Sequence, residues 1–238
     1  MNYKEKLYNN YVGSHLSPRK GDNYFRLDKI TKTSFNQRFK KYLIDYKEKI
    51  VIDLGSGSGH LLRWLSELNF VNLKGVEINE DLTKHYPENV KFENIDIINY
   101  LVRQNNCDLV ILKDVLEHFN KEDAFNILEH IYTSLNKNGR VIIQVPNAES
   151  PLFGRVLYGD YTHEQSFTAT ALTQILSAIG YKDIIVKSYL PAVYNFTSFI
   201  RFIFFKFVSI FYYLLIMSET NIKNRFVTMN IIVIANKK

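Results

Sequence analysis

The 238-residue sequence contains little cysteine, proline and glycine, and it has no dense run of one charge. Its single cysteine, Cys107, excludes an internal disulfide. The first residues, 1–6, are charged and lack the apolar core of a secretory signal peptide. Both absences predict a reducing, cytoplasmic compartment. The scarcity of proline and glycine, beside abundant lysine, asparagine and isoleucine, reflects genomic base composition and says little about mechanism.

The formal net charge of +6 and the pI near 9.1 would suit an anionic partner, such as a nucleotide-linked sugar or the inner surface of a membrane. Lysine and arginine are nevertheless spread along the whole chain, and no cluster is denser than residues 38–41. A nucleic-acid-binding surface needs basic residues concentrated on one face. We therefore expect no nucleic-acid partner.

Hydrophobic patterning predicts a helical N-terminal part, residues 1–48, followed by alternating strands and helices. Seven strands are predicted at residues 50–54, 71–78, 90–93, 107–112, 139–145, 181–186 and 226–234. Helices are predicted at residues 31–46, 60–68, 81–86, 97–104, 124–135 and 168–179, the last with Thr168 as its N-cap and Gly180 at its end. Such alternation predicts an α/β fold with a Rossmann-like, doubly wound sheet, mostly parallel, whose last strand runs antiparallel.

We expect one domain made of three parts. The N-terminal helical cap covers residues 1–48, and the ligand-binding core covers residues 49–190, including a long loop at 146–168. The remainder, 191–238, holds a long helical insertion and the final strand.

Segment 196–217 is rich in phenylalanine and isoleucine and is long enough to span a bilayer. At about 100° per residue, however, its polar side chains fall within an arc of roughly 140°. They are Ser198, Arg201, Lys206, Ser209, Tyr212 and Tyr213. This pattern predicts an amphipathic helix lying on a surface, either the protein's own body or a second subunit of a homodimer. The alternative is a membrane headgroup region, where Arg201 and Lys206 would meet anionic lipid.

A glycine-rich loop lies between the first predicted strand and a predicted helix. Its sequence is Asp53-Leu54-Gly55-Ser56-Gly57-Ser58-Gly59. Glycines let the backbone approach a ligand closely, and the N–H groups at the following helix start favour a negative group. The spacing differs from the Gly-x-Gly-x-x-Gly pattern of dinucleotide-binding folds. It resembles the acidic-x-Gly-x-Gly-x-Gly loop of class I S-adenosylmethionine-dependent methyltransferases.

Three further segments, in the order of the same family, extend this resemblance over about residues 49–186. Glu77 lies at the tip of the second strand, where a carboxylate would accept both ribose hydroxyls. Asp96 follows the third strand, where the family places an acidic residue near the adenine amino group; a helix N-cap explains Asp96 equally well. After the fourth strand, the Val-Leu-Glu-His stretch at 115–118 is similar to the family's motif. The resemblance implies S-adenosylmethionine as cofactor and S-adenosylhomocysteine as product.

The resemblance also implies which residues bind the cofactor. They are Asp53, Gly55, Ser56, Gly57, Gly59, His60, Glu77, Ile78, Asp96, Ile97, Lys113 and Leu116. Within the family, the chain resembles the type 11, 12 and 23 methyltransferases of surface-polysaccharide biosynthesis, in capsule or lipopolysaccharide pathways.

Two groups of side chains could carry chemistry. In the first, spacings of three and four would place Asp114, Glu117 and His118 on one face of a helical turn. Their oxygen and imidazole groups suit a divalent cation, as in some O-methyltransferases with a similar motif. The alternative is that Glu117 and His118 only order the loop.

The second group lies in loop 146–168, which resembles the acceptor-side loop of methyltransferases from cell-envelope pathways. His163 is the first choice for general base, because imidazole accepts a hydroxyl proton near neutral pH. His118 is the second choice, and a loop-stabilising role is the alternative for His163. The candidates for orienting the acceptor are Tyr158, Tyr161, Glu164 and Arg155, the last through a phosphate of an activated sugar.

These features predict an S-adenosylmethionine-dependent O-methyltransferase. Its expected acceptor is a sugar or a sugar-linked phosphate or phosphoramidate group, met as a small molecule or a nucleotide-activated sugar during capsule or lipopolysaccharide synthesis. A lipophilic acceptor such as a quinone is the alternative among enzymes, and a non-catalytic cofactor-binding subunit is the alternative outside them. The expected location is cytoplasmic, with peripheral contact at the inner membrane if helix 196–217 meets lipid.

Overall fold

The computed structural model describes residues 6–7, 27–83, 86–221 and 226–238, and its centre is a seven-stranded sheet. The strands are β1 (Ile50–Leu54), β2 (Asn72–Val76), β3 (Val90–Glu93), β4 (Cys107–Lys113), β5 (Leu135–Pro146), β6 (Lys182–Ser188) and β7 (Asn230–Asn236). Their order across the sheet is β3-β2-β1-β4-β5-β7-β6. The helices are α1 (Lys29–Arg38), α2 (Lys40–Leu43), α3 (His60–Glu67), α4 (Glu80–Thr83), α5 (Ile97–Arg103), α6 (Lys121–Ser134), α7 (Phe153–Leu157), α8 (Ala169–Ile179) and α9 (Phe196–Thr220).

The predicted antiparallel last strand is confirmed. β7 pairs antiparallel with both β5 and β6, whereas β1 to β5 pair parallel with one another. The five central residues of β7, 231–235, are apolar and buried, which fits a strand inside the sheet with both faces covered. The long helix before it, α9, is confirmed as well.

Two hydrophobic clusters cover the two faces of the sheet, because successive side chains of a strand point to opposite sides. Alternate residues of β1 show this division, since Ile52 belongs to a cluster with α5, α6 and α8. Val51 belongs to the other cluster, with α1, α2 and α3. In that second cluster Phe35 of α1 packs against Trp64 with ring centroids 5.4 Å apart. The described part of the N-terminal region is thereby attached to the core.

Helix ends follow the predicted capping residues. Thr168 accepts a hydrogen bond from the Ala171 N–H at 3.0 Å, and Gly180 ends α8 in the left-handed region with φ 116°. Asp96 caps α5 by accepting the Asn99 N–H at 2.9 Å. Local sequence therefore determines where these helices begin and end.

Several predicted boundaries were wrong. The last strand begins at Asn230 instead of 226, because the Asn147 amide donates to the carbonyls of Phe226 and Thr228 and holds that stretch as a loop. The N-terminal helix 31–46 is divided into α1, α2 and a 3₁₀ turn at Ile44–Tyr46. The helix predicted at 81–86 is α4, and residues 84–85 of that prediction lie outside the described residues.

Of the surfaces that the sequence left open for the apolar face of α9, the described part of the protein's own body does not cover it. Within this helix Ser198 alone is buried, while its phenylalanines and isoleucines are largely exposed. By length and composition α9 could cross a membrane, which by itself is weak support for a span. The surface that covers α9 is therefore not supplied by the part of the chain that the structure describes.

Candidate active site

A cleft of about 800 Å³ opens at the carboxyl ends of β1, β2 and β4. This is the place where doubly wound sheets bind ligands, and the volume lies in the range of small-molecule sites. Residues of α1, among them Ile30, Thr31 and Ser34, form part of the wall. Sequence reasoning missed this contribution, because nothing in the pattern of α1 shows which element it faces.

The glycine loop after β1 forms the floor of the cleft. Gly57 has φ +52°, and a Cβ built there would meet no described atom within 4 Å, so the space above the loop is open. At Gly55, with φ +67°, a Cβ would lie 2.6 Å from Cγ2 of Val115. The loop is thus shaped for close approach of a ligand from one side and for tight packing on the other.

Glu77 follows β2 and braces the loop. Its carboxylate accepts hydrogen bonds from the Gly57 N–H at 2.9 Å and from the Asn79 N–H at 3.0 Å. Burial raises the pKa of Glu77, and these backbone N–H groups oppose the shift. A carboxylate fixed at this strand end can accept vicinal hydroxyls of a ribose.

Asp53, at the end of β1, is buried on the wall of the cleft. Burial raises the pKa of its carboxyl to about 7, while the charge of Lys113 acts in the opposite direction. A cationic ligand bound nearby would favour the ionised form. The site therefore suits a ligand that carries positive charge near the β1 end.

Tyr86 supports the loop and was not predicted. Its hydroxyl donates to the carbonyl of Gly57 at 2.7 Å and lies 2.7 Å from Oγ of Ser56. Tyr86 is 29 positions from Gly57 and 30 from Ser56 in the chain, so no local sequence pattern indicates that they are in contact.

Of the twelve residues predicted to bind the cofactor, ten line the cleft: Asp53, Gly55, Ser56, Gly57, His60, Glu77, Ile78, Asp96, Ile97 and Lys113. Gly59 instead forms the left-handed turn before α3. Leu116 is fully buried in the hydrophobic core. Asp96 both lines the cleft and caps α5, so its two predicted roles are compatible.

His118 lies on the cleft wall and is oriented by a hydrogen-bonded chain. The Thr162 hydroxyl donates to Oδ1 of Asp160 at 2.7 Å, and its oxygen lies 2.9 Å from Nδ1 of His118. Because the hydroxyl proton points to Asp160, Nδ1 of His118 carries the proton that Thr162 accepts. The lone pair of the neutral ring is then on Nε2.

His163 packs edge-to-face against His118 with ring centroids 4.8 Å apart. Its Nδ1 donates to the carbonyl of Val156 at 2.9 Å, which places the lone pair of this ring also on Nε2. Burial, followed by the proximity of His163, lowers the pKa of His118 to about 4. His118 is therefore neutral at physiological pH, and the same shift makes its ring a weaker base than an ordinary histidine.

Glu117 joins the two histidines in a group that could hold a metal. Its carboxylate and one nitrogen from each ring lie within 4.8 Å of one another. Burial raises the pKa of Glu117 well above its usual range, and Oε2 has no hydrogen-bond partner among the described residues. This set differs from the predicted set by containing His163 instead of Asp114.

Asp114 does not share a helical face with Glu117 and His118, so that expectation was wrong. Asp114 adopts φ +58° and precedes the 3₁₀ turn at Leu116–His118. Its carboxylate accepts hydrogen bonds from Gln144 at 2.7 Å and Asn230 at 3.0 Å, and forms an ion pair with Lys113 at 2.7 Å. Asp114 thus connects the ends of β4, β5 and β7.

The residues predicted to orient the acceptor lie on the loop between β5 and α8. Tyr158 and Tyr161 are 81% and 82% exposed, and Arg155 and Glu164 are exposed too. The Glu164 N–H donates to the carbonyl of Glu117 at 2.7 Å, which attaches this loop to the histidine pair. The structure brings the four residues to the neighbourhood of His118 and His163 and leaves their side chains accessible.

Sequence comparison identifies relatives of known activity. Phosphoethanolamine N-methyltransferase of Plasmodium falciparum is 24% identical over 179 residues, covering 70% of this chain and 65% of that protein. The chain therefore spans less than two thirds of the length of this relative.

Structure comparison finds the same fold in solved proteins. A SAM-dependent methyltransferase from Archaeoglobus fulgidus matches with a TM-score of 0.63 and 22% identity, covering 87% of this chain and 94% of that one. The 1,6-didemethyltoxoflavin-N1-methyltransferase of Burkholderia thailandensis, solved with its acceptor and S-adenosylhomocysteine, matches with a TM-score of 0.60 and 16% identity, covering 99% and 89%. The family model described as a methyltransferase domain (Methyltransf_23) matches residues 27–186, which include the whole floor of the cleft. The chain belongs to the class I S-adenosylmethionine-dependent methyltransferases.

Proposed function

We propose that this chain is an O-methyltransferase in which His118 is the general base. The observation that carries the proposal is the Asp160–Thr162–His118 chain, which presents a neutral imidazole on the wall of the cofactor cleft. His163 was the first choice from the sequence, but it does not line the cleft and lies against His118. We therefore assign His163 to positioning His118 and keeping it neutral.

The donor set fits S-adenosylmethionine. Glu77 suits the ribose hydroxyls, Asp96 lies where the adenine amino group is expected, and Asp53 suits the cationic methionine end. When bound, the cofactor supplies an electrophilic methyl group on a sulfonium. In this proposal His118 would take the proton from the acceptor hydroxyl through Nε2 as that oxygen accepts the methyl group that the cofactor would supply. Asp160, through Thr162, stabilises the imidazolium that results.

The proposed acceptor is a sugar or a sugar-linked phosphate or phosphoramidate group in capsule or lipopolysaccharide synthesis. Two exposed phenols, Tyr158 and Tyr161, and the exposed Arg155 and Glu164 lie on the same loop as His163. Hydroxyl and charged groups of this kind suit a polyhydroxylated, anionic acceptor. The Plasmodium falciparum relative is named a phosphoethanolamine N-methyltransferase, and the acceptor in that name carries a phosphate.

Two alternatives make different predictions. A lipophilic acceptor such as a quinone would be favoured by a requirement for a divalent metal at Glu117, His118 and His163. A non-catalytic cofactor-binding subunit would be favoured if alanine at His118 and at His163 left every cellular phenotype intact while deletion of α9 did not.

The proposal is tested with labelled S-adenosylmethionine and two acceptor sets, nucleotide-activated sugars and hydroquinones. We expect label on a sugar-derived oxygen, located by mass spectrometry, and no transfer to hydroquinones. Transfer to nitrogen, or to hydroquinones alone, would contradict the proposed acceptor. Binding of cofactor without transfer to any acceptor in the wild type would favour the non-catalytic alternative.

The pH dependence of turnover should reflect the unusual environment of His118. Its pKa of about 4 means that the base is already deprotonated above pH 5. At saturating cofactor and acceptor, kcat should therefore show no acid limb between pH 5 and 8. In His163→Ala the burial of His118 is relieved and a neighbouring imidazole is lost. We therefore expect the kcat profile of this variant to show an acid limb nearer the ordinary histidine pKa of about 6.5. An acid limb near 6.5 in the wild type would contradict the assignment.

Substitution Gly55→Ala should weaken cofactor binding by at least roughly tenfold and lower the melting temperature. The new Cβ would lie 2.6 Å from Val115 Cγ2, and φ +67° adds strain of about 1–2 kcal/mol for a non-glycine residue. Gly154→Ala is the matched control, because its Cβ would approach nothing described closer than Tyr158 Cδ2 at 3.8 Å. The double variant Gly55→Ala/Val115→Ala should recover part of the loss. Isothermal titration with S-adenosylhomocysteine measures these effects.

A further inference from the structure

The outward face of α9 is a continuous apolar surface, which we call the α9 apolar face. The residues of this face are 46–78% exposed. They are Phe196, Phe199, Ile200, Ile203, Phe204, Phe207, Ile210, Phe211, Leu214 and Leu215. At about 100° per residue they cover an arc of roughly 160° along a helix about 38 Å long. An apolar patch of this extent on a soluble domain indicates an interaction surface.

The opposite side of the same helix is less exposed, and it also carries Phe202, Phe205 and Ile216, which are partly buried. Ser198 is buried, and Ser209, Tyr212 and Tyr213 are partly buried. The first turn is fixed by a capping box in which Asn195 accepts the Ser198 N–H and the Ser198 hydroxyl oxygen accepts the Asn195 N–H, both at 2.8 Å. The most exposed side of the helix is the α9 apolar face, the opposite of a helix that completes a core.

We propose that the α9 apolar face docks into the headgroup region of an anionic membrane. Arg201 and Lys206 are exposed and lie near opposite edges of the apolar arc, where their charged ends would reach lipid phosphates while the phenylalanines enter the acyl boundary. Segment 196–218 contains no acidic residue. The chain as a whole carries a net charge of +6, which adds to the attraction.

Charge argues against a second copy as the occupant. A symmetric contact between two α9 helices would bring Arg201 and Lys206 of both copies into one interface. The first acidic residue of the helix is Glu219, in its last turn. Unpaired basic groups at the interface would oppose association.

The topology argues against a membrane span. α9 leaves from β6 and returns to β7, which lies inside the same sheet between β5 and β6. If α9 crossed a bilayer, the chain would have to return through the hydrocarbon core between Thr220, the last residue of the helix, and Asn230, the first residue of β7. Irregular backbone in contact with lipid is not tolerated, because its N–H and C=O groups would have no partner. The helix therefore lies in the plane of the surface.

Docking would also bring the cofactor cleft close to the membrane. Tyr189 lines the cleft and precedes the N-cap Asn195 by six residues, a distance of at most about 22 Å of extended chain. An acceptor presented at the bilayer surface would then be within reach of the site.

Flotation of the full chain with lipid vesicles tests the proposal. We expect binding to vesicles of phosphatidylcholine with about 30% phosphatidylglycerol to exceed binding to phosphatidylcholine alone by at least roughly tenfold, and to fall in high salt. Arg201→Gln/Lys206→Gln should weaken anionic binding by about fivefold per charge. Phe204→Glu/Phe207→Glu should abolish it, because two charges would enter the acyl boundary.

Val102→Glu is the matched control, because Val102 is 66% exposed on α5 and Phe204 is 65% exposed on α9. It should float like the wild type. Titration with S-adenosylhomocysteine shows that each variant is folded, and this readout is independent of the acceptor. Unchanged flotation of Phe204→Glu/Phe207→Glu would overturn the proposal. So would a wild-type chain that ignores vesicles and sediments as a dimer dissociated by the same substitutions.

Discussion

Glu77→Ala is expected to weaken binding of S-adenosylhomocysteine by at least roughly a hundredfold in a calorimetric titration. The carboxylate accepts the Gly57 and Asn79 N–H groups at 2.9 and 3.0 Å and is placed to accept ribose hydroxyls. Hydrogen bonds to a charged group contribute about 1.5–3 kcal/mol each. The loss of the two bonds to the ribose hydroxyls therefore accounts for a roughly hundredfold weaker affinity. Glu77→Gln should lose less affinity for S-adenosylhomocysteine, because the amide keeps one acceptor oxygen.

Glu93→Ala is the matched control for Glu77. Glu93 lies at the end of the neighbouring strand β3, is exposed, and does not line the cleft. Its substitution should leave the affinity unchanged. Equal losses in the two variants, or a normal affinity in Glu77→Ala with an unaltered melting temperature, would contradict the assignment of Glu77 to the ribose.

His118→Ala is expected to lower kcat by roughly 10²–10⁴-fold, with little change in affinity for S-adenosylhomocysteine. The loss should be confined to turnover because, in the proposed mechanism, His118 removes the acceptor proton and does not build the cofactor floor. Thr162→Val should give a smaller loss, since the ring keeps its place but no longer has the link to Asp160. Single-turnover measurements in the cofactor-bound enzyme separate these effects from product release.

His130→Ala provides the control, because His130 is a partly exposed histidine on α6, outside the cleft, whose Nδ1 contacts the Asn126 carbonyl at 2.7 Å. It should turn over normally. Treatment with a chelator separates a base from a metal ligand at His118: we expect no change after chelation. Loss of activity on chelation and its return with a divalent cation would instead assign Glu117, His118 and His163 to a metal centre.

Local sequence was sufficient to predict those features that depend on interactions between residues close together in the chain. The glycine loop, the Thr168 and Asp96 caps, and the alternation of strands and helices follow from backbone preferences and hydrophobic spacing. The antiparallel last strand was also predicted, although its position between β5 and β6 was not. Strand order depends on contacts between residues far apart in the chain.

The sequence made His163 the first choice for the base, and it could not show that His118, and not His163, lines the cleft. His118 and Thr162 are 44 positions apart, and no spacing rule relates them. Likewise, the positive φ of Asp114 removed it from the helical turn on which the predicted metal set depended. Side-chain orientation around a site is decided by packing of separate elements, which a one-dimensional pattern does not contain.

The sequence by itself determined the family, the cofactor floor and the amphipathic character of α9, because each depends on residues close together in the chain. Only the tertiary structure decided which histidine faces the cleft and which side of α9 faces solvent. Both depend on how distant segments pack against one another. The apolar arc could be counted from the sequence, but its exposure to solvent is seen only in the tertiary structure.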